Sequence, residues 1–456
     1  MAQPAAAQKT FILQADLVPV MWRLALPAIA AMVLFGLNAF MDTVYIGQLL
    51  NETALAGVAL AYPLTGVTMG FGSWAGTGAG NLLSIALGKE DEETQLQLLP
   101  NLTFFVLLLS VAFALPAYWF AEPLIRMMGG SGAILEYGVT YFSITLLAAP
   151  LWVYGLALNF VVRAEGKMKE AAIMMAYGLG INLVLTPLLI VYGDMGVAGA
   201  AWATNVGMLV YCIVGYFYFH RGKASFSSRV NAIGYDGAIF AKIAQLGFPG
   251  FIITVMGLVQ AVVTFNAIVG VGTDADLAFF AAANRIVLFL MTPLFGLMRA
   301  LQPIAGINYG AGQYERVKKS LLLFVRTGFF LVAPFWILLT LFPEWGLNLV
   351  LPEVAFTETD LLHFRIYVLI LPVLPAVFMA LTYLPAIERP KYASIVGLAR
   401  QVVFYVPVML VLPRRIGIGG VYYGATAIDV VVTAWLVYLV YRSFADLDTQ
   451  TSASVS

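Results

Sequence analysis

The chain has 456 residues, 61% of them hydrophobic and 11% charged, with 24 basic and 24 acidic side chains. Soluble domains hold roughly 45–50% apolar and about 25% charged residues, so a soluble globular fold is excluded. The even charge balance gives no basic face for nucleic acid. The one cysteine, Cys212, excludes an internal disulfide and a cysteine-based metal cluster.

In chain order, residues 1–17 read as a tail without a separate short apolar region and cleavage site, so no cleaved signal is expected. Twelve apolar runs follow: 18–50, 54–86, 99–122, 133–162, 170–192, 196–219, 237–270, 277–309, 316–342, 360–386, 392–413 and 419–442. Runs of this length predict membrane-spanning helices rather than the short alternating strands of a barrel. Several exceed the roughly 20 residues that cross a bilayer, which predicts tilted or kinked helices.

Lys89, Arg163, Lys167, Lys169, Arg221, Lys223, Arg229, Arg316, Lys318, Lys319, Arg389 and Lys391 fall in the even-numbered loops. The odd loops hold few positive residues, with Arg414-Arg415 the exception. This asymmetry places both termini in the cytoplasm.

Landmarks recur at an offset near 222. Pro27 is matched by Pro249 at 222, Ala157-Leu158 by Ala380-Leu381 and Glu165 by Glu388 at 223, Pro187 by Pro407 at 220, and Gly196–Gly199 by Gly417–Gly420 at 221. Six spans per half is an even number, so the halves share one orientation, related by an axis along the membrane normal. The expected architecture is all-α: an N-terminal tail 1–17, a first lobe 18–220, a polar linker 221–236, a second lobe 237–443 and a C-terminal tail 444–456. Such paired lobes fit a rocking transporter.

Ionisable residues inside a membrane are costly and mark function or pairing. Asp42 lies deep in span one, and no basic residue is expected inside the first six spans to neutralise it. Loss of hydration makes a carboxylate costlier charged than neutral, which suits it to carry a proton. Asp429 lies in span twelve, with Arg285, Arg299 and Arg400 in spans eight and eleven as alternative partners for a structural ion pair. Asn182 and Thr186, four apart, share one face of span five, and Thr204 and Tyr141 add polar atoms nearby. These serve either Asp42 or plain interhelical hydrogen bonding. Pro27 removes one helix bond and permits a bend in span one. The glycines at 66, 70, 72, 76, 78 and 80 allow close helix approach or line a lumen, with packing preferred. Met69, Met175 and Phe35 suit an adaptable apolar pocket. No P-loop lysine, His-Glu-x-x-His or nucleophile elbow is present, so no enzyme and no cofactor are expected, and power must come from an ion gradient.

The run Leu24-Ala25-Leu26-Pro27, Asp42 fifteen positions later, Asn182 with Pro187, and Gly196-Val197-Ala198-Gly199-Ala200-Ala201-Trp202-Ala203-Thr204 resemble a multidrug and toxic compound extrusion (MATE) transporter over nearly the whole chain. An acid in span one, with none in the middle of spans seven or ten, resembles the DinF-like branch. The resemblance implies a V-shaped pair of lobes and antiport of cationic or amphipathic drugs. It makes Asp42 the coupling carboxylate and Asn182, Thr204 and Tyr141 its hydrogen-bond partners, and it puts Asn159, Asn38 and Met175 at substrate-contacting positions. Where some relatives carry a second acid in span five, this chain has Thr186, which favours protons over sodium because a hard cation wants charged oxygens.

The expected function is proton-coupled export of drug-like compounds by alternating access. Protonation of Asp42 bends span one near Pro27 and closes the first lobe's cavity. The alternatives are a sodium-coupled drug antiporter and a flippase for a lipid-linked substrate, which wants a cationic cavity. The expected setting is a bacterial or archaeal inner membrane, with lipid and small molecules as the partners and a monomer as the working unit.

Overall fold

A computed structural model describes residues 3–352 and 354–455 of the chain. Its helices are α1 (Gln3–Gln14), α2 (Leu17–Leu49), α3 (Glu52–Lys89), α4 (Glu92–Trp119), α5 (Ala121–Met127), α6 (Gly132–Leu147), α7 (Ala149–Ala164), α8 (Met168–Pro187), α9 (Gly196–His220), α10 (Gly237–Val271), α11 (Asp274–Gly310), α12 (Tyr314–Leu341), α13 (Pro343–Asn348), α14 (Glu358–Val368), α15 (Leu374–Ala386), α16 (Pro390–Leu398), α17 (Val406–Ile416) and α18 (Gly419–Val455). Wide π-type turns extend α8 (Leu188–Tyr192) and join α16 to α17 (Ala399–Tyr405). No strand occurs among the described residues.

The polar breaks in the sequence work as helix caps. Asn51 accepts from the amide of Ala54, Asp91 from Thr94, and Asp236 from Ala238 and Ile239. Thr273 with Asp276 and Thr357 with Asp360 form reciprocal capping boxes at α11 and α14. Each satisfies amide donors that the first helical turn leaves open.

The repeat holds through the backbone. The helix starts at Glu92 and Tyr314 differ by 222 (314 − 92), as do those at Glu52 and Asp274 and at Met168 and Pro390. Left-handed backbone occurs at Glu90 and Gly312 and at Gly166 and Glu388, again 222 apart. The structural equivalent of Glu388 is therefore Gly166, one residue beyond the Glu165 that the sequence match chose. Both positions turn the chain out of a span with φ above zero, 79° at Gly166 and 59° at Glu388.

Where the repeat meets itself, the side chains vanish. A Cβ on Gly310 would lie 2.2 Å from the carbonyl oxygen of Ile85, and Gly88 and Gly310, equivalent under the offset, face each other. Ser84 and Gly306, also 222 apart, meet in the same way. The pseudo-two-fold axis thus runs between α3 and α11, and small residues there let the backbones touch. Across the halves, α3 also packs along α10 and α2 along α11. Gly78 of α3 sits on the Ile243 carbonyl of α10, while Gly72 and Gly76 pack on Leu156 and Phe160 of α7. The span-two glycines at these positions are packing residues. Trp74 fixes the α3–α10 seam by donating from Nε1 to the Ala244 carbonyl at 2.8 Å.

Two expectations change. Residues 360–386 are not one span: α14 and α15 are separate, with Pro372 and Pro375 at the break. The equivalent pair α6–α7 is bent by 57° at Ala148, two residues before Pro150 in the first turn of α7. A proline in a first helical turn restarts a helix and denies the preceding one a donor. Among the described residues, ten other helices are long and apolar enough to cross a membrane singly, and the α6–α7 pair adds one more. The terminal tails are helical as well. Arg316 donates to the carbonyls of Ile12 (2.8 Å) and Ala15 (2.5 Å), Gln8 to that of Gly166, and Lys9 pairs with Glu90. At the other terminus α18 runs on to Val455, held by Arg389 on Asp446 and Lys318 on Asp448. Finally, Arg163 is not a loop residue; it lies in the last turn of α7. These contacts gather both termini and the even-numbered loops on one face, called the terminal face below.

Candidate functional site

Asp42 lies on α2, half-buried, with Asn38 one turn earlier donating to its Oδ2 at 3.4 Å. Its Oδ1 is buried without a partner among the described residues. Asp42 belongs to none of the ion pairs found among the described residues. Phe35, Asn38 and Asp42, spaced by three or four or their sum, share one face of α2. Phe35 is 38% exposed there. On α3, Tyr62 interacts electrostatically with Asp42, and Met69, half-buried, follows two turns later on Tyr62's face.

Opposite stands a second polar group. Asn182 of α8 donates to the hydroxyls of Thr186 and Thr204, 3.3 Å each, and Thr204 and Tyr141 of α6 are joined by a hydrogen bond. Thr186 and Thr204 in turn donate to the Asn182 and Ala200 carbonyls. Tyr141 interacts electrostatically with both Asp42 and Tyr62. The close approach of α8 and α9 depends on Gly207, where a Cβ would come 2.8 Å from the Gly178 carbonyl and 3.0 Å from the Asn182 Cβ. The Asn182–Thr186–Thr204–Tyr141 group is thus assembled beside Asp42. In this conformation its side-chain hydrogen bonds run among its own members and to the Ala200 carbonyl, and the Asn182 Oδ1 is left buried without a partner among the described residues. Tyr62 was missed in the sequence because one tyrosine in an apolar run has no spacing signal. Pro27 sits inside an unbroken α2.

Asn159 and Met175 stand elsewhere. They line a narrow cavity with Ala28, Ala31 and Met32 of α2, Met168 of α8, and two arginines, Arg163 of α7 and Arg299 of α11. Asn159 donates to the Ala171 carbonyl at 2.7 Å. Arg163 is 4% exposed, and its Nε, Nη1 and Nη2 find no acceptor among the described residues; Nη1 of Arg299 is likewise buried and unpartnered. Both guanidiniums lie over the Phe160 ring, at 3.9 and 5.7 Å from its centre. The expectation of a first half with no buried base is therefore wrong. Arg163 precedes a turn in the sequence and reads as a loop cation, but α7 runs one residue past it and tucks it between α8 and α11.

In the second half, the open choice at Asp429 closes on Arg400, whose Nε and Nη2 lie 2.8 and 2.7 Å from Oδ1. Arg400 Nη1 donates to Gln260 at 2.8 Å and to Gln401. Arg285 is exposed and Arg299 faces the other cavity, so neither joins this pair. Arg400 sits on the π-type turn Ala399–Tyr405, which ends just before Pro407. A proline there lacks a donor and crowds the carbonyl four residues back, conditions that widen a helical turn. A fork-shaped, multiply bonded pair of this kind compensates its own desolvation, which favours the structural role.

The family model MatE matches residues 27–188 and 251–411, once in each half. The multidrug export protein MepA of Staphylococcus haemolyticus is 24% identical over 427 residues, 92% of each chain. MepA of Staphylococcus aureus strain MRSA252 is 22% identical over 406 residues, 88% of each. A crystal structure of MATE in the bent conformation superposes with a TM-score of 0.90 at 20% identity, covering 97% of this chain and 99% of that one. A MOP-superfamily transporter from Pyrococcus furiosus, described as having a binding pocket of reverse polarity, gives 0.87 at 21% identity, covering 96% and 98%.

Proposed function

The chain belongs to the MatE family, a family of membrane transporters and not of enzymes, and on that premise we propose that it is a proton-coupled antiporter exporting cationic or amphipathic drug-like molecules, with Asp42 as the coupling carboxylate. The observation that carries this reading is the setting of Asp42: a half-buried acid in a membrane helix with, among the described residues, no cation paired to it and one oxygen unsatisfied. Such a group either binds a proton or receives a cationic guest. Export of drugs is the activity named for the MepA relatives.

The cycle follows from the polar groups. In the outward state the charged Asp42 holds a cationic substrate on the α2 face with Asn38 and Phe35, and Met69 of α3 completes an adaptable wall. A proton from outside neutralises the carboxyl and removes the attraction. The neutral acid gains an O–H donor, for which the unsatisfied Asn182 Oδ1 is an acceptor. Drawing Asp42 toward Asn182 and Thr204 bends α2 at Pro27, where a helix bond is already missing. The cavity shrinks and substrate leaves. The lobes then rock, the proton is released inward, and new substrate enters. With both termini in the cytoplasm, the terminal face is the inner one. One proton falling through 100 mV supplies about 2.3 kcal/mol, enough to bias a two-state carrier roughly fifty-fold.

The test is dye movement in proteoliposomes of the full chain after an acid jump and after a sodium jump, for wild type and Asp42→Asn. Proton coupling requires movement driven by acid and lost in the variant. Movement driven by sodium alone replaces the proton with a sodium ion on Asp42 and neutral oxygens. Silence to both gradients rejects drug antiport and leaves flipping of a lipid-linked substrate, the reading that a buried cationic pair would serve.

A further inference from the structure

The mechanism above makes no use of Arg163 and Arg299. They come from different halves of the repeat, α7 and α11, yet both line one cavity on the terminal-face side of the molecule and both lie against the Phe160 ring. Arg163 is 96% buried, and none of its nitrogens reaches a protein acceptor among the described residues. No ion pair among the described residues contains either arginine. The buried Tyr211 hydroxyl also lacks a partner among the described residues and interacts electrostatically with both. Aromatic faces offset part of a guanidinium's desolvation but provide no acceptor for its N–H groups.

We infer that Arg163 and Arg299 form an oxyanion site between the two halves, and that its ligand is a phosphate group, supplied by an acidic phospholipid headgroup or by a free phosphate. A carboxylate presents two oxygens in one plane, whereas a phosphate presents its oxygens tetrahedrally and so faces two forks arriving from different helices at once. The rest of the wall is Ala28, Ala31, Met32, Met168 and Met175, which leaves an apolar flank beside the charged end. Without an anion the two cations repel across the seam between α7 and α11. A bound phosphate cancels that repulsion and holds the seam shut, so it stabilises the closed terminal side. The site is distinct in residues and in charge from the Asp42 chamber.

The experiment measures the unfolding midpoint of the purified full chain, by intrinsic tryptophan fluorescence in a neutral detergent, against two titrants: inorganic phosphate and dihexanoyl phosphatidylglycerol. Sodium chloride at matched ionic strength is the control. A saturable rise in the midpoint with phosphate identifies a soluble ligand, and a rise with the lipid alone identifies a headgroup. Either rise must weaken in apparent affinity by roughly tenfold or more in Arg163→Gln and in Arg299→Gln, the loss expected for one charge-assisted contact. It must stay at the wild-type value in Arg285→Gln, which alters an exposed arginine of the same helix. If a glutamine variant fails to fold, phenylglyoxal labelling of the wild type replaces it: the saturating titrant must protect Arg163 and Arg299 and leave Arg285 labelled as before. No saturable rise with either titrant, a rise undiminished in both variants, or labelling without protection overturns the site.

Discussion

At the scale of single residues, the chain contains buried charges with opposite fates. Asp429 has its counterion, so breaking the pair and removing it are different events. Asp429→Asn leaves a half-buried Arg400 without its counterion and should destabilise by roughly 1–3 kcal/mol, less than a fully buried pair would lose, while the double change Asp429→Leu with Arg400→Met should cost much less. Thermal unfolding of the three proteins checks this, and equal losses in the single and double variants would remove the pair's structural role. Glu165, in the turn between α7 and α8, is a second case. It is 2% exposed and accepts from the Tyr218 hydroxyl at 3.0 Å and from the Ser225 amide and hydroxyl, anchoring the linker. Burial holds its carboxyl above the ordinary glutamate range, against the opposing pull of Lys167 and these donors. The folded chain then binds the proton more tightly than the unfolded chain. That contribution to stability is complete below the ordinary glutamate range and is lost as pH rises through the raised folded value. Glu165→Gln should flatten the decline of the unfolding midpoint over that interval; an unchanged pH profile would mean that the carboxyl is ordinary.

At the scale of helices, the glycines set which surfaces touch. Gly88 and Gly310 meet at the pseudo-axis, where any side chain meets backbone that cannot move aside. Gly310→Val should therefore cost more stability than overpacking an ordinary core site, which is typically about 1–3 kcal/mol. Gly312→Ala provides a contrast. That residue has open space but a φ of 72°, so its penalty is backbone strain alone, of order 1–2 kcal/mol. If Gly310→Val unfolds no earlier than Gly312→Ala, α3 and α11 are not in backbone contact.

At the scale of the whole molecule, α1 ties the halves together on the terminal face. Arg316 belongs to the second half and holds the carbonyls of Ile12 and Ala15, while Gln8 and Lys9 reach Gly166 and Glu90 of the first. Two charge-assisted bonds from one guanidinium are the strongest of these contacts. Arg316→Ala should release α1, seen as faster amide exchange across Gln3–Gln14 with the spans unchanged. Protection equal to wild type would show that packing of Ile12, wholly buried, holds the helix alone.

The membrane character, the approximate place of most spans and the repeat follow from the sequence alone, as does the position of Asp42 within a span. Each is a local or periodic property: an apolar run long enough to cross a bilayer needs no partner to be recognised, and a repeated landmark needs only its spacing. Cap residues such as Asn51 and Thr273 likewise act within their own turn. What lies beyond one helix was decided by tertiary structure. Arg400 rather than Arg285 or Arg299 meets Asp429 because a π-type turn sets its angle. Tyr62 reaches Asp42 from another span. Arg163, placed in a loop by its position near a polar break, is buried because α7 extends past it and α8 and α11 close over it. Spacing along a chain gives the face of a helix; only the packing of the other helices shows what that face meets.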